Sequence, residues 1–230
     1  MKKIYLFLLP LVITFASGCN NNASITILYT NDVHGALGYE DKALSYASVA
    51  KMKQDLKQQG KKVLLFDCGD HTSGGMYCSY LDGLPIVNIM NNAGYDAAIF
   101  GNHEFDHTFK MVEAYEDFAD FPYIATNLYH CEPGDETSIT TAYTNTSEIF
   151  TLGNVKVGVI GVSTPYTMVT STPSYFKDED GKIIYSFLSD DDGSLLYDKV
   201  QSEVNILRDK CDYVVCLAHM GGAQGSTQLF

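Results

Sequence analysis

Aspartate, asparagine and histidine gather at four places in this 230-residue chain, each directly after a short apolar run. Asn31, Asp32, His34 and Gly35 follow Ile25–Thr30, while Asp67, Gly69 and Asp70 follow Val63–Phe66. Gly101, Asn102, His103, Glu104 and Asp106 follow Ala97–Phe100, and His219 follows Tyr213–Ala218. Carboxylate, imidazole and amide donors without thiolates suit divalent ions of the Zn, Mn, Fe or Mg class, and argue against a structural zinc site. If Asp32 and His34 hold one ion while Asn102 and His219 hold another, Asp70 is placed to bridge the two. Paired ions about 3.5–4 Å apart are a recurring device for phosphoryl hydrolysis, because they clamp both the attacking and the leaving oxygen. A single such cluster is equally well read as a loop with a capping aspartate and a solvated histidine. Four clusters at strand ends are not, since ligands of open α/β sheets bind outside the carboxyl ends of the strands.

The elements that must position these residues alternate in type. Ile25–Thr30, Val63–Phe66, Ala97–Phe100, Tyr123–Thr126, Glu148–Thr151, Val155–Ile160 and Tyr213–Ala218 read as strands. Between them, 42–59, 84–92, 109–119 and 195–210 read as helices; Tyr46, Val49, Met52 and Leu56 share one face, and Gly60 supplies a stop. The turn Gly153-Asn154 predicts a hairpin, and the Ser-, Thr-, Asp- and Gly-rich residues 170–193 predict a loop excursion. Strand and helix in alternation mean an α/β fold with a substantial parallel sheet. No internal repeat or interdomain linker is visible.

The ordered set of Asn31, Asp32 and His34, then Gly69 and Asp70, then Gly101, Asn102, His103 and Glu104, then His219 resembles the calcineurin-like metallophosphoesterases. Phe105 and Asp106 after Glu104, with Gly35 after His34, extend the likeness to their 5′-nucleotidase branch. That branch includes UDP-sugar hydrolases and 2′,3′-cyclic-nucleotide phosphodiesterases, and the likeness covers residues 25–230. It implies a layered β-sandwich flanked by helices. It further implies two divalent metal ions, one on Asp32, His34 and Asp70, the other on Asp70, Asn102 and His219. His103 with Asp106 resembles the catalytic dyad, a carboxylate orienting an imidazole that faces the phosphate. Left to the residues alone, His103 is open to a second reading as a metal ligand or an N-cap. The nucleophile implied is water activated by the ions, and the substrate a small phosphorylated molecule of the nucleotide class.

Other residues are less specific. Asp67 reads as a supporting residue at a strand end, and His71 either reaches the site or is a solvated loop histidine. His107 stands where the family often continues with another residue, and His130 has no partner cluster. No serine or cysteine sits in a nucleophile arrangement with a base, so covalent catalysis is not indicated. Gly158 and Gly161 do not make a dinucleotide fingerprint.

Asp and Glu number 28 against 15 Lys and Arg, a formal net charge of −13, which excludes a general binder of nucleic-acid polymers. Hydrophobic residues at 46% and charged residues at 19% exclude a mainly disordered chain. Lys2 and Lys3, an apolar run from Ile4 to Phe15, and small residues up to Gly18 read as a signal peptide over residues 1–18, too short for a membrane span. Ala16, Ser17, Gly18 and Cys19 resemble a bacterial lipobox, which implies lipid attachment at Cys19, a membrane anchor, and work in the periplasm or at the cell surface. Five further cysteines, an odd number, leave at least one free thiol, and a pair such as Cys68 with Cys78 is conceivable.

Members of the resembled branch carry a further Gly-His-x-His-like pair beyond the position of His219, and a separate C-terminal domain. Residues Ala223–Phe230 contain no histidine. The expectation is therefore a catalytic domain over 19–230 that is incomplete at its C-terminus, lacks its last strands and binds metal weakly. Two function classes follow: an exported metal-dependent phosphoester hydrolase, or a non-catalytic exported lipoprotein domain with a vestigial metal site.

Overall fold

The computed structural model describes residues 24–37 and 45–221. The predicted signal peptide with Cys19, the helix start at Lys42 and the histidine-free stretch after Gly221 lie outside the described residues. In chain order the elements are β1 (Ile25–Thr30), α1 (Tyr46–Gln58), β2 (Lys62–Asp67), α2 (Met76–Tyr80), α3 (Leu84–Ala93) and β3 (Ala97–Ala98). Then come α4 (Phe109–Phe118), β4 (Tyr129–Glu132), β5 (Asp135–Ala142), β6 (Ser147–Leu152) and β7 (Val155–Ser163). The last are α5 (Thr167–Thr170), β8 (Tyr185–Ser186), α6 (Ser194–Arg208) and β9 (Tyr213–His219).

Two sheets face each other. The first runs β1-β2-β3, all parallel, and the second runs β6-β7-β9, with β7 antiparallel to β6 and parallel to β9. Because successive side chains of a strand point to opposite faces, β2 feeds two cores at once. Leu64 and Phe66 join Ala97, Ile99, Val155, Val157, Val159 and Leu217 between the sheets. Leu65, with Ala98 and Phe100, points the other way, into a cluster built by Val49 of α1, Ile86 and Met90 of α3, and Val112 and Tyr115 of α4. Burial on both faces explains why β2 reads as a continuous apolar run. On the far side α6 covers β7, close enough that a Cβ on Gly158 would lie 3.1 Å from Leu207. The result is a helix–sheet–sheet–helix sandwich, with a small antiparallel sheet β5-β4-β8 beside it. The predicted α/β layered architecture is thus the observed one.

Local chemistry sets the ends. Ser45 caps α1, its hydroxyl accepting from the Ser48 N–H, so the helix begins at Tyr46; Thr108 caps α4 through the Met111 N–H. Gly94, at φ +74°, closes α3. The predicted hairpin at Gly153-Asn154 is present, with Leu152 opposite Val155.

Three expectations need correction. Tyr123–Thr126 forms isolated bridges and no strand, because its backbone divides its partners: the Ile124 N–H donates to Ala98, Ala125 to Asn145, and Thr126 to Gly161. The segment stitches the two large sheets together and extends neither. The strand at Ala97–Phe100 pairs only through Ala97 and Ala98. Residues 170–193 carry, besides loop, a short 3-10 turn at Pro173–Phe176 and β8, which pairs with β4. The β4–β5 hairpin was not read from the sequence. All five described cysteines are free, including Cys68 and Cys78.

Leu65 is fully buried under three helices. Leu65→Ala should cost about 2–5 kcal/mol of stability, read as a shift of the urea midpoint with unchanged slope; a loss below 1 kcal/mol would show that this face of β2 is not a packed core.

Candidate metal centre

The carboxyl ends of β1, β2, β3 and β9 bring the four clusters to one edge. Backbone bonds lock their loops together: Asp32 N–H donates to Gly69 at 3.1 Å, His34 N–H to Asp70 at 2.9 Å, and Cys68 N–H to Thr30 at 2.8 Å. Asp32, His34 and Asp70 all adopt left-handed backbone, with φ of +52°, +48° and +59°. For non-glycine residues such φ values cost of order 1–3 kcal/mol each and collect at functional sites. Gly69 and Gly101 permit the close approach of two loops: a Cβ on Gly69 would meet the Gly101 backbone, and one on Gly101 would fall on the Asp70 carboxylate.

Donor atoms of Asp32, His34 and Asp70 lie within 4.8 Å of one another. Asp70 Oδ2 stands 3.8 Å from His34 Nε2 on one side and 3.2 Å from His219 Nε2 on the other. His219 Nδ1 is 2.8 Å from the Cys68 carbonyl oxygen, to which it donates, and this turns Nε2 toward Asp70. Asp70 Oδ1 accepts from the His103 N–H at 2.9 Å, so the turn carrying Asn102 and His103 hangs directly on the Asp70 carboxylate. His103 Nδ1 bonds Asp106 Oδ2 at 2.6 Å, and its ring stands edge-on to His34 with centroids 5.2 Å apart. His103 is therefore neither a cap nor one of the Asp32–His34–Asp70 donors. Asp32, His34, His103 and Asp106 are each part-exposed, whereas Asp70 and His219 are buried, so the centre opens on one side.

Charge is unbalanced here. Among the described residues the lysines in ion pairs join Asp55, Asp96 and Glu203, and none reaches this edge. Among the described residues the ion-pair partners of Asp32, Asp70 and Asp106 are imidazoles. Burial would raise the Asp70 pKa, but the hydrogen bonds from His219 and His103 hold it below the ordinary carboxylate value. Burial would lower the His219 pKa, yet Asp70 lifts it to about 9; His103 is likewise raised, by Asp106 and Asp70 against burial. Hard oxygen and imidazole donors converging on one carboxylate fit divalent ions.

Behind this front lies a second, sealed set. His71 is fully buried, so it is neither a solvated loop residue nor part of the open site. Its Nδ1 is 2.7 Å from Asp67 Oδ1 and 3.6 Å from Glu104 Oε1, and Nε2 bonds the Tyr123 hydroxyl at 2.8 Å. Burial would depress its pKa, but Glu104 and Asp67 raise it to about 9. Asp67 also accepts from Gly69 N–H and from Thr30, which ties the ends of β1 and β2 together. No sequence signal marked His71 for this role, because its carboxylate partners are set by the fold. His107 pairs with Asp82, and His130 packs against Tyr185 in an aromatic cluster, both away from the centre.

The chain is thus a two-sheet α/β sandwich with carboxylates and histidines gathered at the strands' carboxyl edge. Residues 25–229 match the calcineurin-like phosphoesterase family, and the chain belongs to it. It is 30% identical to protein UshA of Salmonella pullorum over 86% of its own length, and 29% identical to the 5′-nucleotidase of Diplobatis ommata over 93%. The chain spans about a third of those proteins, 34% and 36%. In fold it is similar to the NAD nucleotidase of Haemophilus influenzae, at a TM-score of 0.67 and 21% identity, over 88% of this chain and 35% of that one.

His71→Leu would leave Asp67 and Glu104 buried beside each other without their cation. It should cost roughly 3–5 kcal/mol in chemical denaturation with EDTA present; stability equal to wild type would show that the ring serves only as a spacer.

Proposed function

We propose that this chain carries a dinuclear-metal-dependent centre that hydrolyses phosphoester bonds in nucleotides or related phosphorylated small molecules. The observation that carries the reading is Asp70 Oδ2 set between His34 Nε2 and His219 Nε2, with no lysine or arginine ion-paired to it among the described residues. Asp32, His34 and Asp70 would hold one ion, and Asp70, Asn102 and His219 the other. Bound there, the ions would supply Lewis-acid stabilisation of a phosphoryl group and a nucleophile derived from water at neutral pH.

The remaining work falls to the chain's own side chains. Asp106 fixes the His103 tautomer by accepting a hydrogen bond from Nδ1–H, which leaves Nε2 as the nitrogen to face a phosphoryl group. An imidazole raised toward its charged form can place a proton opposite a phosphoryl oxygen as negative charge grows in the transition state. The names of the relatives, a 5′-nucleotidase and an NAD nucleotidase, support a nucleotide as the substrate. Lys2, Lys3, the apolar run to Phe15 and Cys19 support export and lipid anchoring.

With Mn2+ and 5′-AMP the wild-type chain should release phosphate, and EDTA should abolish it. Asp70→Ala should lose activity through loss of ions, and His103→Ala should lower kcat by about 10²–10⁴-fold with ions still bound. Equal rates for all three proteins would reject this reading.

A further inference from the structure

Glu104 lies one residue from the proposed catalytic imidazole, yet it is fully buried and faces away from the open centre. Each of its oxygens serves a different stretch of backbone. Oε2 accepts from Gly101 N–H and from Asp70 N–H at 2.8 Å, and Oε1 accepts from His71 N–H at 2.8 Å and Thr72 N–H at 3.0 Å. The Thr72 hydroxyl adds a fifth bond to Oε1 at 3.1 Å. Asp70 returns the arrangement, since its Oδ1 accepts from His103 N–H on the Glu104 side. Two carboxylates therefore reach across the gap between the β2 and β3 loops, each satisfying the other loop's backbone. The gap itself is held narrow by Gly69 and Gly101.

We propose that Glu104 is the positioning residue that sets the spacing of the two ion-binding half-sites, holding Asp70 in its left-handed conformation before any ion arrives. This rests on the dinuclear reading above, and it adds a residue that touches neither ion nor substrate. The physical argument is one of donor count. All five groups aimed at Glu104 are donors, so the position requires two oxygens that only accept. A glutamine of the same size must turn its NH2 against either the Gly101 and Asp70 N–H groups or the His71 and Thr72 N–H groups, and that pair is then left buried and unsatisfied. An aspartate is shorter by one methylene and cannot serve both loops.

The test compares wild type, Glu104→Gln and Glu104→Asp as the full 230-residue chain. Melting in EDTA reports the fold, Mn2+ titration calorimetry the affinity, and the visible absorption of Co2+ the geometry of the donors. The expected result is a cooperative melt for Glu104→Gln, Mn2+ affinity weakened by about 10–100-fold, as is typical when support of metal ligands is lost, and an altered Co2+ band shape. Unchanged Mn2+ affinity and an unchanged Co2+ spectrum in Glu104→Gln would overturn the proposal and leave Glu104 a purely structural residue. A measurement on wild type alone guards against a variant that fails to fold. With EDTA present, the amides of Asp70, His71, Thr72 and Gly101 should resist hydrogen exchange. Free exchange that stops only when Mn2+ is added would show that ions, and not Glu104, order the loops. If the wild-type chain takes up no Mn2+, the dinuclear reading falls and this proposal with it; if wild type and Glu104→Gln bind alike, the proposal alone falls.

Discussion

The arrangement turns on an excess of negative charge at one edge of a sheet. Asp32, Asp67, Asp70, Glu104 and Asp106 converge where β1, β2 and β3 end, and three of them are buried almost completely. An unpaired buried carboxylate is costly enough that it would be protonated or expelled. The protein deals with this in two ways. In the sealed layer, Asp67 and Glu104 share the His71 ring, with Glu104 further held by four backbone N–H donors and Asp67 by the Gly69 N–H and the Thr30 hydroxyl. In the open layer, Asp32 and Asp70 each take one N–H donor, from Asn31 and His103, and their remaining oxygens face the imidazoles of His34 and His219. That difference separates scaffold from site.

The geometry of the open layer depends on the sealed one. Left-handed backbone at Asp32, His34 and Asp70 would relax if the loops were free, at about 1–3 kcal/mol per residue. It persists because each loop is tied to the next: Asp32 to Gly69, His34 to Asp70, Asp70 to Glu104, and His103 back to Asp70. The ladder of β7 with β9 places His219 opposite Ser163, and the Thr164 N–H donates to the His219 carbonyl. The second sheet thus delivers the last donor to a centre otherwise assembled on the first. Core packing between the sheets, through Phe66, Ile99, Val157 and Leu217, fixes the distance across which His219 must reach.

Much of this was legible in the residues. Short apolar runs of β-rich composition announced β1, β2, β7 and β9, and the polar residues just beyond them marked the site, since an α/β sheet exposes its strand ends. Asp32, His34, Asp70, His103 and His219 are brought together as the ordered motifs implied. What escaped has a common cause in long-range pairing. The β5 strand is rich in threonine and mostly exposed, so it lacks the apolar alternation that marks a half-buried strand, although Pro133-Gly134 carried a turn signal. Tyr123–Thr126 looked like a strand, but its hydrogen bonds are claimed by three different neighbours. His71 looked like a loop histidine, because burial comes from Tyr123, 52 residues away in the chain, and from Glu104, 33 residues away.

The acidity of the whole chain now has a physical meaning. A net charge of −13 opposes the approach of any phosphorylated molecule through its general field. Screening confines that field to about 8–10 Å at ordinary ionic strength, so what matters at contact is the charge inside the site. There, two divalent cations would outweigh the carboxylates of Asp32 and Asp70 and reverse the local sign. His71 cannot play that part, because it is sealed from solvent with its Nδ1 facing Asp67 and Glu104. The anion-binding character of the centre would therefore depend on ions acquired from solution and vanish with them, and no basic patch on the protein surface is needed to explain it.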